Sequence, residues 1–162
     1  MNLKFPKEIQ TKKNKKLKNK KDPFYPNEKT TWLNFSKSVR LQHIETVLDS
    51  DRFFARCVTC GKLKHVKELH AGHWIKIKHK ATKFDRKNVH PQCVECNEYK
   101  KGEEIKHEEY ILNKYGKEVV EDLKERGAYP YFKIPKEALK IINDESKEII
   151  NKICKEKGIN KW

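Results

Sequence analysis

Apolar residues are spread unevenly along the chain. Residues 1–28 hold mostly Lys, Asn and Pro, as in TKKNKKLKNKKD, with too few apolar groups to pack, and are expected to form a disordered basic arm. Next, Trp32, Phe35 and Val39 recur at helical spacing behind Thr30 or Thr31, either a suitable N-cap, and the pattern predicts a helix to Leu48. Asp49 to Arg56 then leads into a first cysteine pair. LKHVKELHAGHWIKI suits a β-hairpin, with Ala71-Gly72 as a weak turn, and a polar loop runs from Lys78 to Asn88. Pro91 stands at the mouth of a helix expected from near Gln92 to Gly102, a C′ glycine. KHEEYILNKYGKEVVEDLKERG reads as two short helices broken at Gly116. In residues 129–162, Leu139, Ile142, Ile149, Ile150 and Ile153 line one stripe of an amphipathic C-terminal helix. Residues 29–128 between arm and tail read as the functional domain, and no internal repeat is visible.

Composition narrows the class. The chain has 162 residues and a net charge of +15, which points to a polyanionic partner. A bias toward Lys, Asn and Ile is also what an AT-rich genome produces, so the Lys count alone is a weak argument. No apolar run approaches the ~20 residues needed to span a bilayer, so no membrane role is expected. No apolar segment follows the basic amino terminus as a secretory signal requires, and a cytoplasmic location is expected, where cysteines more often hold metal than form disulfides. The basic arm would add attraction to phosphate without sequence preference.

Four of the five cysteines form two Cys-x-x-Cys pairs, Cys57/Cys60 and Cys93/Cys96, separated by residues 61–92. Each pair can bind one side of a tetrahedral zinc ion, and four thiolates leave no open position, so the zinc is expected to be structural. Cys154 stands alone, as a small apolar residue in a helix. The histidines exceed what zinc needs: four of the seven lie between Leu69 and Asn97. If the second pair sits on a helix, Cys93, Cys96 and Asn97 share a face, and Asn97 projects beside the zinc toward the strands bearing His70 and His73. A carboxamide oxygen with imidazole around an open cavity suits a second, weaker site for Mg²⁺ (or Mn²⁺). His65 and His79 are expected to be solvated.

HAGHW, FDRKNVHPQCVECN and CNEYKKG resemble the core of the NinG/Rap family of phage recombination endonucleases, and WLNFSKSVRL and CVTCGK resemble its first helix and first knuckle. The likeness covers about residues 32 to 125. More distantly the arrangement is similar to His-Asn-His nucleases. The resemblance implies an α+β fold, a zinc-stapled ββα-metal core with flanking α-helices. It also implies Mg²⁺-dependent cleavage of branched double-stranded DNA such as Holliday junctions or D-loops, leaving 5′-phosphate and 3′-hydroxyl ends. By position, His73 matches the general base, Asn97 the metal-binding residue of the helix, and Asn88 the asparagine that braces the loop and orients the base. Many such enzymes place an Asp or His metal ligand just before the base, where this chain has Gly72. His70 is favoured as the substitute, ahead of Asp85, and His90 as a supporting group. Lys76, Lys78 and Arg86 are candidates for phosphate contact on charge alone.

Other nuclease chemistries have less support. Between Cys57 and Asn97 the acids are Glu68, Asp85 and Glu95, too sparse for a site of clustered carboxylates. No Gly-x-Ser-x-Gly is present, and zinc accounts for the paired cysteines. Two rivals stand: a non-catalytic zinc protein that binds DNA, and a nicking enzyme with no preference for junctions. Paired cuts across a junction favour a homodimer, with the C-terminal stripe as one candidate interface and packing on its own core as the other use of that stripe.

Overall fold

In the computed structural model, which describes residues 25–160, the first helix starts earlier and ends sooner than its pattern predicts. Asn27 is the cap, its Oδ1 accepting from the Thr30 amide at 2.9 Å, and α1 spans Glu28–Leu41. Residues 1–24 of the expected basic arm lie outside the described residues. Beyond Leu41 the β-branched residues Ile44, Thr46 and Val47 favour extended backbone. They form β1 (Ile44–Val47), which pairs antiparallel with β2 (Phe53–Arg56), and β2 pairs with β3 (Leu63–His65).

Because Leu63–His65 belongs to this first sheet, the hairpin expected to turn at Ala71-Gly72 does not form. Instead β4 (Leu69–His73) carries both residues through its middle and pairs antiparallel with β5 (Val89–Cys93), Ala71 facing Pro91 and Gly72 facing His90. Pro91 therefore sits inside a strand, and its carbonyl accepts from the Val58 amide at 3.0 Å. The helix expected from Gln92 is also shorter, because Gln92 and Cys93 complete the strand ladder and only then does the chain coil. Glu95–Tyr99 is a single π-helical turn, closed by Gly102 at φ +92°, whose amide reaches back to the Cys96 carbonyl at 2.8 Å. Gly102 thus acts as the terminating glycine.

Three helices follow: α2 (Glu104–Tyr115), α3 (Lys117–Gly127) and α4 (Lys136–Lys157), with the first two broken at Gly116 as the pattern predicts. The fold is mixed α+β. One apolar cluster surrounds the cysteines, built from Leu41, Phe53, Ala55, Val66 and Leu69 and closed by Cys154 and Ile159. A second joins Trp74 to Ile111, Val120 and Leu123, and a third lies under α1 at Phe35, Val39 and Val89. The C-terminal stripe turns inward onto α1. Leu139 and Asn143 are buried there, Asn34 Nδ2 donates to Asn143 Oδ1 at 2.8 Å, and Thr31 Oγ1 donates to the Leu139 carbonyl at 3.4 Å. The stripe considered as a dimer face thus packs on this chain's own core. No described helix is long and apolar enough to cross a membrane.

Candidate functional site

Four sulfur atoms meet where the two sheets approach each other. The Sγ atoms of Cys57, Cys60, Cys93 and Cys96 all lie within 4.8 Å of one another. The Cys60–Cys93 separation is 3.8 Å. A tetrahedral ion with Zn–S bonds of about 2.3 Å requires sulfur–sulfur edges of roughly 3.8 Å, so the cluster is the right size to hold structural zinc. Burial opposes ionisation of Cys57, but Thr59 Oγ1 at 3.2 Å and nearby amides win and bring the thiol down to about 6. Burial pushes the Cys96 thiol up to about 12 and raises Cys60 as well, so the four sulfurs ionise together only with a cation among them. Cys57 and Cys60 come from the β2–β3 connection, whereas Cys93 ends β5 and Cys96 sits in the π-helical turn, so a bound ion joins the first sheet to the second.

His73 closes β4 and lines a cleft of about 450 Å³ along that strand. Its Nε2 donates to the Lys83 carbonyl at 2.9 Å, which leaves the Nδ1 lone pair unprotonated. The ring stacks on Trp32 of α1, centroids 4.8 Å apart. Burial, set against the carbonyl bond that favours the charged form, pulls His73 down to about 4, so the imidazole is neutral at cellular pH.

The carbonyl that fixes His73 belongs to the long 74–88 loop, and Asn88 holds that loop together. Fully buried, Asn88 accepts from the Ile75 amide at 2.7 Å and donates to the Ile75 and Thr82 carbonyls at 3.0 Å each. From outside, Glu28 pairs with Lys80 and Lys83 at 2.6 and 2.7 Å, and Arg126 bonds the Ala81 carbonyl. Asn88 therefore braces the loop that carries the Lys83 carbonyl.

Asn97, on the π-helical turn directly after Cys96, lines the same cleft as His73. Its Nδ2 lies 3.2 Å from His70 Nδ1, and the same imidazole nitrogen is 3.2 Å from the Glu98 carboxylate. One nitrogen cannot accept from Asn97 and donate to Glu98 at once, so the His70 tautomer chooses between them. Glu98 is an acid that no motif in the sequence marks; it directly follows Asn97. Gly72 has no room for a side chain. A Cβ there would collide with the Gln92 carboxamide and stand 2.9 Å from Asn97 Oδ1.

The remaining candidates separate clearly. Lys76 lines the cleft and donates to the Lys101 carbonyl at 2.7 Å, with Lys101 and Arg40 beside it. Lys78 is exposed on the loop. Arg86 serves structure instead. Its guanidinium bonds Ser38, Gln42 and Ser146 at 2.8–3.2 Å and lies over Phe35, fastening α1 to α4. Asp85 is held by Arg126 and by the Lys87 amide, away from Asn97. His65 is not simply solvated: it bonds the Asp51 carbonyl at 2.8 Å and packs on Phe53.

His90 lies behind the site in a buried chain, Nδ1 2.9 Å from His107 Nε2 and Nε2 3.3 Å from the Tyr115 hydroxyl. Burial first, then the repulsion of neighbouring cations, brings His90 down to about 2 and His107 to about 3. Both rings are neutral when folded and titrate near 6.5 when unfolded. The folded chain therefore binds fewer protons, and stability present above about pH 6.5 is lost as pH falls below it. By pH 5 the loss should reach about 2 kcal/mol per histidine. Urea melts from pH 8 to pH 5 on zinc-loaded protein will show this, and His107→Gln should flatten the slope by about one proton.

No curated protein and no solved structure matches the chain. The family model for the bacteriophage Lambda NinG protein, however, matches residues 3–156. This span includes both cysteine pairs, His73, Asn88 and Asn97, and the chain belongs to the NinG family.

Proposed function

We propose that this protein is a divalent-cation-dependent endonuclease that hydrolyses phosphodiester bonds in branched DNA. The observation that carries the reading is the setting of His73: a neutral imidazole, locked through Nε2, on an open cleft that Asn97, Lys76, Lys101 and Arg40 also line. In this reading Nδ1 removes a proton from water as it attacks phosphorus in line, and the basic side chains hold the non-bridging oxygens. Asn97 Oδ1 is a neutral hard oxygen at a solvent-open site, which fits Mg²⁺ or Mn²⁺. Such an ion, when bound, stabilises charge on the leaving 3′ oxygen. The zinc serves the chemistry only by position, since it seats Cys96 and therefore Asn97. Preference for branched substrates rests on the NinG membership and the strongly basic composition.

The test is incubation of a synthetic four-way junction, and a linear duplex of the same sequence, with and without Mg²⁺. Mg²⁺-dependent nicks in the junction, with 5′-phosphate and 3′-hydroxyl ends, are expected. Binding without cutting would make the protein a zinc-dependent DNA-binding module. Equal cutting of both substrates would make it an unselective nicking enzyme.

A further inference from the structure

Two carboxamides meet at Gly72 with the same polarity. Gln92 is fully buried, and its Nε2 is anchored by donation to the Gly102 carbonyl at 2.8 Å and, more weakly, to Thr59 Oγ1 at 3.4 Å. That anchoring turns Oε1 toward Gly72. Asn97 is turned in the same sense by its Nδ2 contact to His70, which leaves Oδ1 toward the same spot. Register strengthens the convergence, because Gln92 stands directly opposite His70 and shares a sheet face with Gly72. Among the described residues, Gln92 Oε1 is the one buried side-chain oxygen without a hydrogen-bond partner. A buried carbonyl left unpaired is costly, so such an atom calls for a counterpart.

A hard cation is the counterpart that two converging neutral oxygens fit. We infer that Gln92 is a metal ligand: through Oε1 it joins Asn97 Oδ1 in holding the divalent ion beside Gly72, where both oxygens converge. The inference rests on the reading of this cleft as a divalent-cation site. It also gives Gly72 a purpose, since any side chain there displaces the Gln92 oxygen. His70, the substitute ligand expected from sequence, becomes the group that orients Asn97.

Mn²⁺ titration of the zinc-loaded full-length protein, followed by electron paramagnetic resonance, tests this without relying on cleavage. The wild type should bind one Mn²⁺ beyond its zinc. Gln92→Ala should weaken that binding at least tenfold with zinc content unchanged. In the double variant Gly72→Asp/Gln92→Ala, the carboxylate enters the vacated space and binding should return. Gln92→Glu should raise the midpoint shift that Mn²⁺ produces on thermal unfolding, because added charge tightens a ligand but gives a purely structural residue no metal response. Wild-type Mn²⁺ affinity in Gln92→Ala, or no gain in either rescue variant, overturns the inference and leaves the nuclease reading intact. Failure of the wild type to bind Mn²⁺ at all overturns both.

Discussion

The His73→Ala protein should bind a four-way junction as tightly as the wild type and cut it about a hundred- to ten-thousandfold more slowly. That is the range a positioned general base contributes. Binding survives because affinity comes from many lysines and arginines acting on phosphates, whereas one imidazole carries the proton transfer. The fold should survive too. His73 is half-buried, and its removal leaves the Lys83 carbonyl still held by the loop that Asn88 braces. Single-turnover cleavage beside a gel-shift titration separates the two effects, and full activity in the variant would end the assignment. Burial holds the imidazole down to about 4, so it stays unprotonated and able to accept a proton well below the ordinary histidine value. Cleavage should accordingly persist below pH 6.5, until the loss of folding stability described above overtakes it.

Loss of zinc should remove site and fold together. Structural zinc in small motifs contributes roughly 10–16 kcal/mol, as much as the ~5–15 kcal/mol that holds a typical domain folded. Here the ion would join the β2–β3 connection to the end of β5, inside the apolar cluster around the cysteines. Cys96→Ser should therefore lose bound zinc, its cooperative melt and all cleavage at once, whereas His73→Ala keeps the first two. Metal analysis of the purified variants with thermal unfolding followed by circular dichroism will show the split. A Cys96→Ser protein that melts like the wild type would mean that the thiolate cluster is dispensable.

The parts of this architecture that spacing encodes are legible in the sequence itself. Two Cys-x-x-Cys pairs state a tetrahedral site directly, and Asn97 beside Cys96 follows from adjacency. The break at Gly116 and the stripe on α4 are equally local. What failed was pairing. Leu63–His65 and Leu69–His73 look like one hairpin, yet each finds its partner elsewhere, β3 with β2 and β4 with a strand beyond a long loop. Local pattern carries no record of that choice. The polar loop from Lys78 to Asn88 is legible, but not how it is fastened: Asn88 bonds the backbone of Ile75 and Thr82. Gln92 and Trp32 escaped notice for a similar reason. One reads as a helix starter and the other as core, and only the folded chain sets them against Gly72 and His73. Arg86 shows the opposite error, a basic residue read as surface charge that fastens two helices.

The packing of α4 on α1 has a consequence for biosynthesis. Trp32, the platform under His73, belongs to a helix whose rear face rests on Leu139 and Asn143, residues translated more than a hundred positions later. A chain still emerging from the ribosome can gather its cysteines, but it lacks the backing that holds α1 against the imidazole. In the proposed reading the imidazole thus lacks this backing until α4 has been made, and a product ending before α4 lacks the contact altogether.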